Sequence, residues 1–269
     1  MAVIALGTEI VVNALTSGNQ YRPTIASLTS GGFVIGWQDE SGVGSADLSD
    51  DVRIARFDGS GNRLNPGTDT LVNTTTPAAQ FEPSIAGLNN GGFVVAWTDA
   101  SEAAPDNDNR AVRLQIFDQD GSASGSEIVV NTTYPLSQDA PSVTTLTNGN
   151  IVVTWTSEDI NASGTTNIIR RVFNSSGGAV TGEQVVNTQV TDDQERSAVH
   201  ALSTGGFAVV WEDRHNVAPA GFFEYRTFIR FYNASGTALA APQLLSPSSA
   251  NDPQMTALTE LSTGNIVVV

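Results

Sequence analysis

The sequence predicts an all-β fold, a five-bladed β-propeller of four-stranded antiparallel blades in which residues 1–269 form a single domain. Three observations carry that expectation. First, the element GGFVVAW at Gly91 to Trp97 has close relatives at Gly31 to Trp37, Gly149 to Trp155, Gly205 to Trp211 and Gly264 to Val269. Their first glycines lie 60, 58, 56 and 59 residues apart. Second, each interval holds four short β-type runs separated by turn signals, without helical periodicity of useful length. Third, the termini complement each other: the runs a, b, c and d number five, five, four and five, and Ala2 to Ala5 supplies the missing run c. A repeat split across both ends closes a ring by pairing N- and C-terminal strands, whereas a linear solenoid needs caps.

Run a starts at a proline slot: Pro23 to Leu28, Pro83 to Leu88, Pro141 to Leu146, Ser197 to Leu202 and Thr256 to Leu261, each with an aliphatic third residue and a leucine sixth. A short Asn/Ser/Thr/Gly turn follows, because a tight hairpin needs positive φ angles that Gly and Asn supply. Run b is the GGFVVAW element. Phe93, Val95 and Trp97 point one way and Val94 and Ala96 the other; both sets are apolar, as in a strand buried on both faces. Run c, at Val52 to Phe57, Ala111 to Phe117, Ile168 to Phe173 and Tyr225 to Tyr232, ends in an Asx residue three before a glycine (Asp58, Asp118, Asn174, Asn233), a hairpin signature. Run d covers Glu9 to Asn13, Thr70 to Asn73, Glu127 to Asn131, Glu183 to Asn187 and Gln243 to Ser246. The last residue of each lies ten before the next proline slot, so the crossing has constant length.

Composition narrows the partners. Twelve arginines, no lysine and 28 acidic residues give a net charge of −16, which opposes electrostatic binding to nucleic acid or an anionic membrane. Cysteine is absent, so neither a disulfide frame nor a thiolate metal site exists. The start, Met1 to Gly7, has no basic segment, and its apolar run is too short for a signal peptide or a membrane span.

In an up-and-down blade the b–c and d–a loops share one face, and these are the long ones, so ligands are expected there. The same loops hold 19 of the 28 acids. Carboxylate clusters suit hard cations, which makes calcium the one expected cofactor, with Asp47, Asp50, Asp51, Asp106 and Asp108 as candidate ligands. A second set recurs along the repeats: Trp37, Trp97, Trp155 and Trp211, the glutamines Gln20, Gln80, Gln138 and Gln194 three before the proline slot, and, in three of them, Asp39, Asp99 and Asp213 two after the tryptophan. Two readings fit them. They form sugar pockets, with indoles stacking on C–H faces and amides bonding hydroxyls, or they pack the blades and tie down the crossings. Neither His200 nor His215 recurs, and no nucleophile elbow, P-loop or zinc-helix motif is present.

The Val-Asn-Thr-Thr-Thr stretch ending at Thr76, the Gln-x-x-Pro-Ser crossing, GGFVVAW and the following Arg-x-x-x-Phe-Asp run resemble repeats of large exported bacterial surface proteins. Those proteins leave by type I secretion and often carry hemolysin-type calcium-binding segments. The resemblance implies an extracellular or cell-surface setting; the nonapeptides of that calcium route are missing here. The functional expectation is a non-enzymatic extracellular module binding a glycan or cell-surface polymer through the acidic long-loop face. A self-associating unit of a surface layer or filament stands as the alternative, and a glycoside hydrolase ranks last.

Overall fold

A computed structural model describes residues 9–44, 47–133, 135–158, 165–217, 222–249 and 257–269. Every regular element among them is a β-strand. The first sheet has strands β1 (Gln20–Ser27), β2 (Phe33–Asp39), β3 (Asp51–Phe57) and β4 (Thr70–Leu71). The second has β5 (Gln80–Gly87), β6 (Phe93–Asp99), β7 (Ala111–Phe117) and β8 (Ala123–Val129). The third has β9 (Gln138–Thr145), β10 (Ile151–Glu158), β11 (Thr166–Phe173) and β12 (Gln184–Val185). The fourth has β13 (Asp193–Ala201), β14 (Phe207–Val217), β15 (Phe222–Tyr232) and β16 (Gln243–Ser249). Each is an antiparallel meander in chain order, and a two-stranded sheet, β17 (Leu258–Glu260) with β18 (Ile266–Val268), follows.

The hairpins obey the predicted turn chemistry. Gly31, Gly91, Gly149, Gly205 and Gly264 all have φ between 82° and 96°, and each donates its N–H to the carbonyl of the leucine that ends run a. At the c–d turns the Asp58, Asn174 and Asn233 side chains accept from amides two and four residues on.

The sheets pack face to face in sequence. One core joins the first and second sheets through Val34, Ile54, Phe93 and Trp97, another the second and third through Val94, Leu114, Val153 and Trp155, and a third the third and fourth through Val152, Ile168, Phe207 and Trp211. The a-strands β1, β5, β9, β13 and β17 touch one another in turn, so they form the inner rim of a propeller-like array. Burial of the b-strands on both faces matches the alternation read above; β6 is buried along its whole length.

Two expectations shift. No strand forms over Glu9 to Asn13; that segment lies on the first sheet, with Val12 against Trp37 and Phe57. The ring-closing role of Ala2 to Ala5 lies outside the described residues. After Trp211 the expected loop is instead a continuation of the β14–β15 hairpin, paired as far as Val217 and Phe222.

Candidate active site

In all four full sheets the ladder between the inner strand and its neighbour breaks at the same place, where two residues bulge out: Arg22-Pro23, Glu82-Pro83, Ala140-Pro141 and Arg196-Ser197. The first residue of each bulge has positive φ: 52° at Arg22, 56° at Glu82, 51° at Ala140 and 52° at Arg196. None is a glycine, and such a conformation costs about 1–2 kcal/mol. Bulges re-aim side chains and recur beside active sites. Here they place an arginine, a glutamate, a methyl group and an arginine at equivalent points of the inner rim, on the face of the b–c and d–a loops.

Two carboxyl groups meet there from adjacent inner strands. Glu82 is approached only by donors: Thr98 Oγ1 at 3.1 Å and the Ala140 amide at 3.0 Å reach Oε2, and Arg22 Nη1 reaches Oε1 at 2.5 Å. Asp139, next in sequence to that amide, has one partner, Arg110 Nη1 at 3.1 Å. Burial and then the Glu82 charge push the Asp139 carboxyl up to about 6 against the pull of Arg110, with the Glu158 charge adding to the rise. Both carboxyls keep 27 % exposure, and the flanking arginines are about half exposed, so the pair opens to solvent. Arg196 pairs with Glu212 at 3.2 Å on the fourth sheet. One carboxyl held as an acceptor beside another lifted toward neutrality is the arrangement that divides acid and base roles.

The recurrent tryptophans lie elsewhere, in the packing between sheets; none is more than 4 % exposed. In the second sheet Trp97 Nε1 donates to Gln80 Oε1 at 2.8 Å, Gln80 Nε2 donates to Asp99 at 2.6 Å, and Arg113 pairs with the other Asp99 oxygen. The fourth sheet repeats the relay through Trp211, Gln194 and Asp213. In the first, Gln20 reaches Asp39 at 3.1 Å, yet its Oε1 accepts from Asn13, and the buried Trp37 Nε1 has no acceptor. In the third, Gln138 turns away, donating to the Pro135 and Leu136 carbonyls and accepting from Asn131. In the second and fourth sheets these residues tie the inner strand to the packed tryptophan, and in the first and third the glutamine holds its own loop.

The five candidate metal ligands are held by protein donors. Asp50 accepts from Tyr21 and Gln38, Asp51 from Asn73, and Asp106 from Asn131. Asp47 accepts from the Ala78 amide and Asp108 from the Leu136 amide. Burial raises the Asp51 and Asp106 carboxyls. Among the described residues no three His, Asp or Glu side chains gather where they could hold a metal ion. His215 Nδ1 lies 2.7 Å from Asp192 on the long hairpin, and His200 Nε2 accepts from the Glu260 amide of β17.

Sequence reasoning passed over two groups. The bulge residues carried a signal, a non-glycine residue between the glutamine slot and the proline slot of every full repeat, but a residue before proline reads as extended. The other group is a set of staples. Asp69, Glu127 and Glu183 each accept two backbone N–H bonds from the crossing that leaves the preceding repeat, at Ala14 and Leu15, Thr74 and Thr75, and Thr132 and Thr133.

No family model and no curated protein matches the sequence. Solved structures do. The α-L-arabinofuranosidase of Fusarium graminearum, solved with arabinobiose, superposes with a TM-score of 0.66 at 11 % identity, covering 96 % of this chain and 77 % of that one. The α-L-arabinanase of Penicillium chrysogenum, also with arabinobiose, gives 0.60 at 15 % identity over 93 % and 74 %. A Dyadobacter fermentans protein of unknown function gives 0.60 at 13 % over 94 % and 76 %. At these identities the likeness is one of fold. Most of the similar structures are arabinanases or α-L-arabinofuranosidases, and with them the expectation of a non-enzymatic module falls. The error came from weighing what the repeats share, whereas the strained inner rim varies, with arginine in the first and fourth sheets, glutamate in the second and alanine in the third.

Proposed function

We propose that the protein is a glycoside hydrolase acting on α-L-arabinosyl linkages, built on a closed five-bladed propeller and working outside the cell. The single observation carrying this reading is the Glu82–Asp139 pair, two carboxyls on adjacent inner strands with opposed environments. Asp139, lifted to about 6, retains its proton in mildly acidic solution and delivers it to the glycosidic oxygen as the bond to the anomeric carbon breaks. Glu82, fixed by Thr98, the Ala140 amide and Arg22, supplies the carboxylate that attacks that carbon or takes the proton of the attacking water. Arg22 and Arg110 steady the two carboxyls, and the bulge strain at Glu82 holds its side chain at the rim.

The test is hydrolysis of 4-nitrophenyl α-L-arabinofuranoside and of linear arabinan by the wild type, Glu82→Gln and Asp139→Asn, with calcium and again in chelator. Release of arabinose or arabino-oligosaccharides by the wild type, lost in both variants, is expected. A wild type inert on both substrates, or variants as active as the parent, would refute the assignment, and the chelator arm reads whether the acidic loops need an ion.

A further inference from the structure

The third sheet is open where the sheets beside it are bridged. In the first two sheets the residue two after the tryptophan is Asp39 or Asp99, the residue paired with the tryptophan on the next strand is Arg53 or Arg113, and the two join across the sheet face, at 2.6 Å for Arg53 and Asp39. The fourth sheet keeps Asp213 and puts Phe228 opposite Trp211, the rings stacked 5.7 Å apart. In the third sheet both positions have changed: Ser157 stands for the aspartate and Ile169 for the arginine. Among the described residues neither an ion pair nor a ring fills the gap, and a cavity of about 410 Å³ opens there.

We infer that this cavity is a second binding site, for a neutral disaccharide. Its volume falls within the roughly 300–1,000 Å³ of small-molecule pockets. Ile169 and Val185 give it an apolar wall over the buried Trp155, and Ser157, Thr133 and Gln184 add the mixed donors and acceptors that hydroxyl groups need, Gln138 and Asn167 being held by Asn131 and Asn187. Among the described residues no arginine lines it, which turns away phosphates and uronates. A cation is no better served, because Glu183 is engaged by the Thr132 and Thr133 amides. Glu158 also lines the cavity and is one of the charges that lift Asp139, so the space sits within electrostatic reach of the carboxyl pair. The site does not depend on the hydrolase reading.

The experiment is a titration of Glu82→Gln protein with arabinobiose, xylobiose and cellobiose, following the indole N–H resonances of the four tryptophans, with Trp155→Phe assigning its own signal. A saturable shift of the Trp155 resonance with at least one disaccharide is expected. Ser157→Asp/Ile169→Arg, which rebuilds the ion pair of the first two sheets, should weaken that binding at least tenfold. Val185→Trp should do the same from the strand edge, where Val185 is 48 % exposed and folding is not at risk. No saturable Trp155 shift with any of the three sugars, or unchanged affinity in both filled variants, overturns the proposal. A Trp155 shift in a protein whose wild type hydrolyses nothing would leave this site standing and remove the catalytic reading alone.

Discussion

The second and third sheets share strand order, turns, inner bulge and staple, yet one is sealed by a buried ion pair and the other open. In the second, Trp97, Gln80, Asp99 and Arg113 form a continuous buried relay. In the third, the aspartate and the arginine are both absent and a cavity is left, while Gln138 holds its crossing loop as Gln20 does in the first sheet. The contrast separates what the fold needs from what it tolerates. A buried charge cannot be lost alone, because its partner would stay desolvated and unpaired. Lost as a pair, the two leave a sheet that still folds and has room for something else. The same two sheets supply the two rim carboxyls, Glu82 from β5 and Asp139 from β9.

The sharpest way to test that division of labour is catalytic. Glu82→Gln should lower turnover on every arabinoside by about 10²–10⁴-fold, the range a lost acid–base group produces. Asp139→Asn should be as severe on arabinan but much milder on a 4-nitrophenyl arabinoside, whose leaving group needs little protonation. Equal losses on both substrates in steady-state assays would mean that Asp139 is not the acid.

Next in size is the relay itself. Asp99→Ser leaves Arg113 buried without its main partner and should cost about 3–5 kcal/mol in urea unfolding. Asp99→Ser/Arg113→Ile, which copies the third sheet into the second, should cost under about 2 kcal/mol, a strong positive coupling in the cycle. Additive losses would show that the open sheet owes its stability to something other than paired replacement.

The third effect concerns pH. The Asp139 carboxyl titrates near 6 in the folded protein against 3.8 in a free side chain, so folding opposes its ionisation. Below pH 3.8 it is protonated in both states and carries no penalty; as pH rises through 6 the penalty reaches about 2–3 kcal/mol. Asp139→Asn should therefore be more stable than the wild type at pH 7 by up to that amount and indistinguishable from it at about pH 3, well below the free-side-chain value. Thermal unfolding at the two values reads the difference directly, and no gain at neutral pH would show that the carboxyl is not held against its ionisation.

Smallest are the staples. Glu127→Gln and Glu183→Gln should each cost about 1–2 kcal/mol, the worth of hydrogen bonds to a charged acceptor. The loss should be larger in the second sheet, where Glu127 also lies 3.4 Å from Arg113.

How much of this was readable from residues alone differs by length scale. Strand order, glycine turns and the two-sided burial of run b followed from local chemistry that each repeat states separately. The b–c connection of the fourth sheet did not, because Glu212 to Asn216 read as polar loop and tertiary pairing extended the hairpin through them. The rim pair was legible only as loop acids. Glu82 and Asp139 lie 57 residues apart and come near each other because β5 and β9 are adjacent inner strands, the Ala140 amide donating to Glu82. The recurrence that revealed the fold drew attention to Trp, Gln and Asp, whose job is the same in several sheets. A catalytic group is needed once, so repetition cannot announce it.

The staples also bear on the order in which the chain is made. Each acid closes on amides 50 to 55 residues behind it. A ribosome adding about 5–20 residues per second needs several seconds to deliver that partner. Until then the outer edge of the newest sheet is unfastened, with the N–H groups at its crossing still in water. The nascent protein therefore travels with one loose edge at its growing end, and a chaperone that shielded this moving edge would have the same short target to recognise at every repeat.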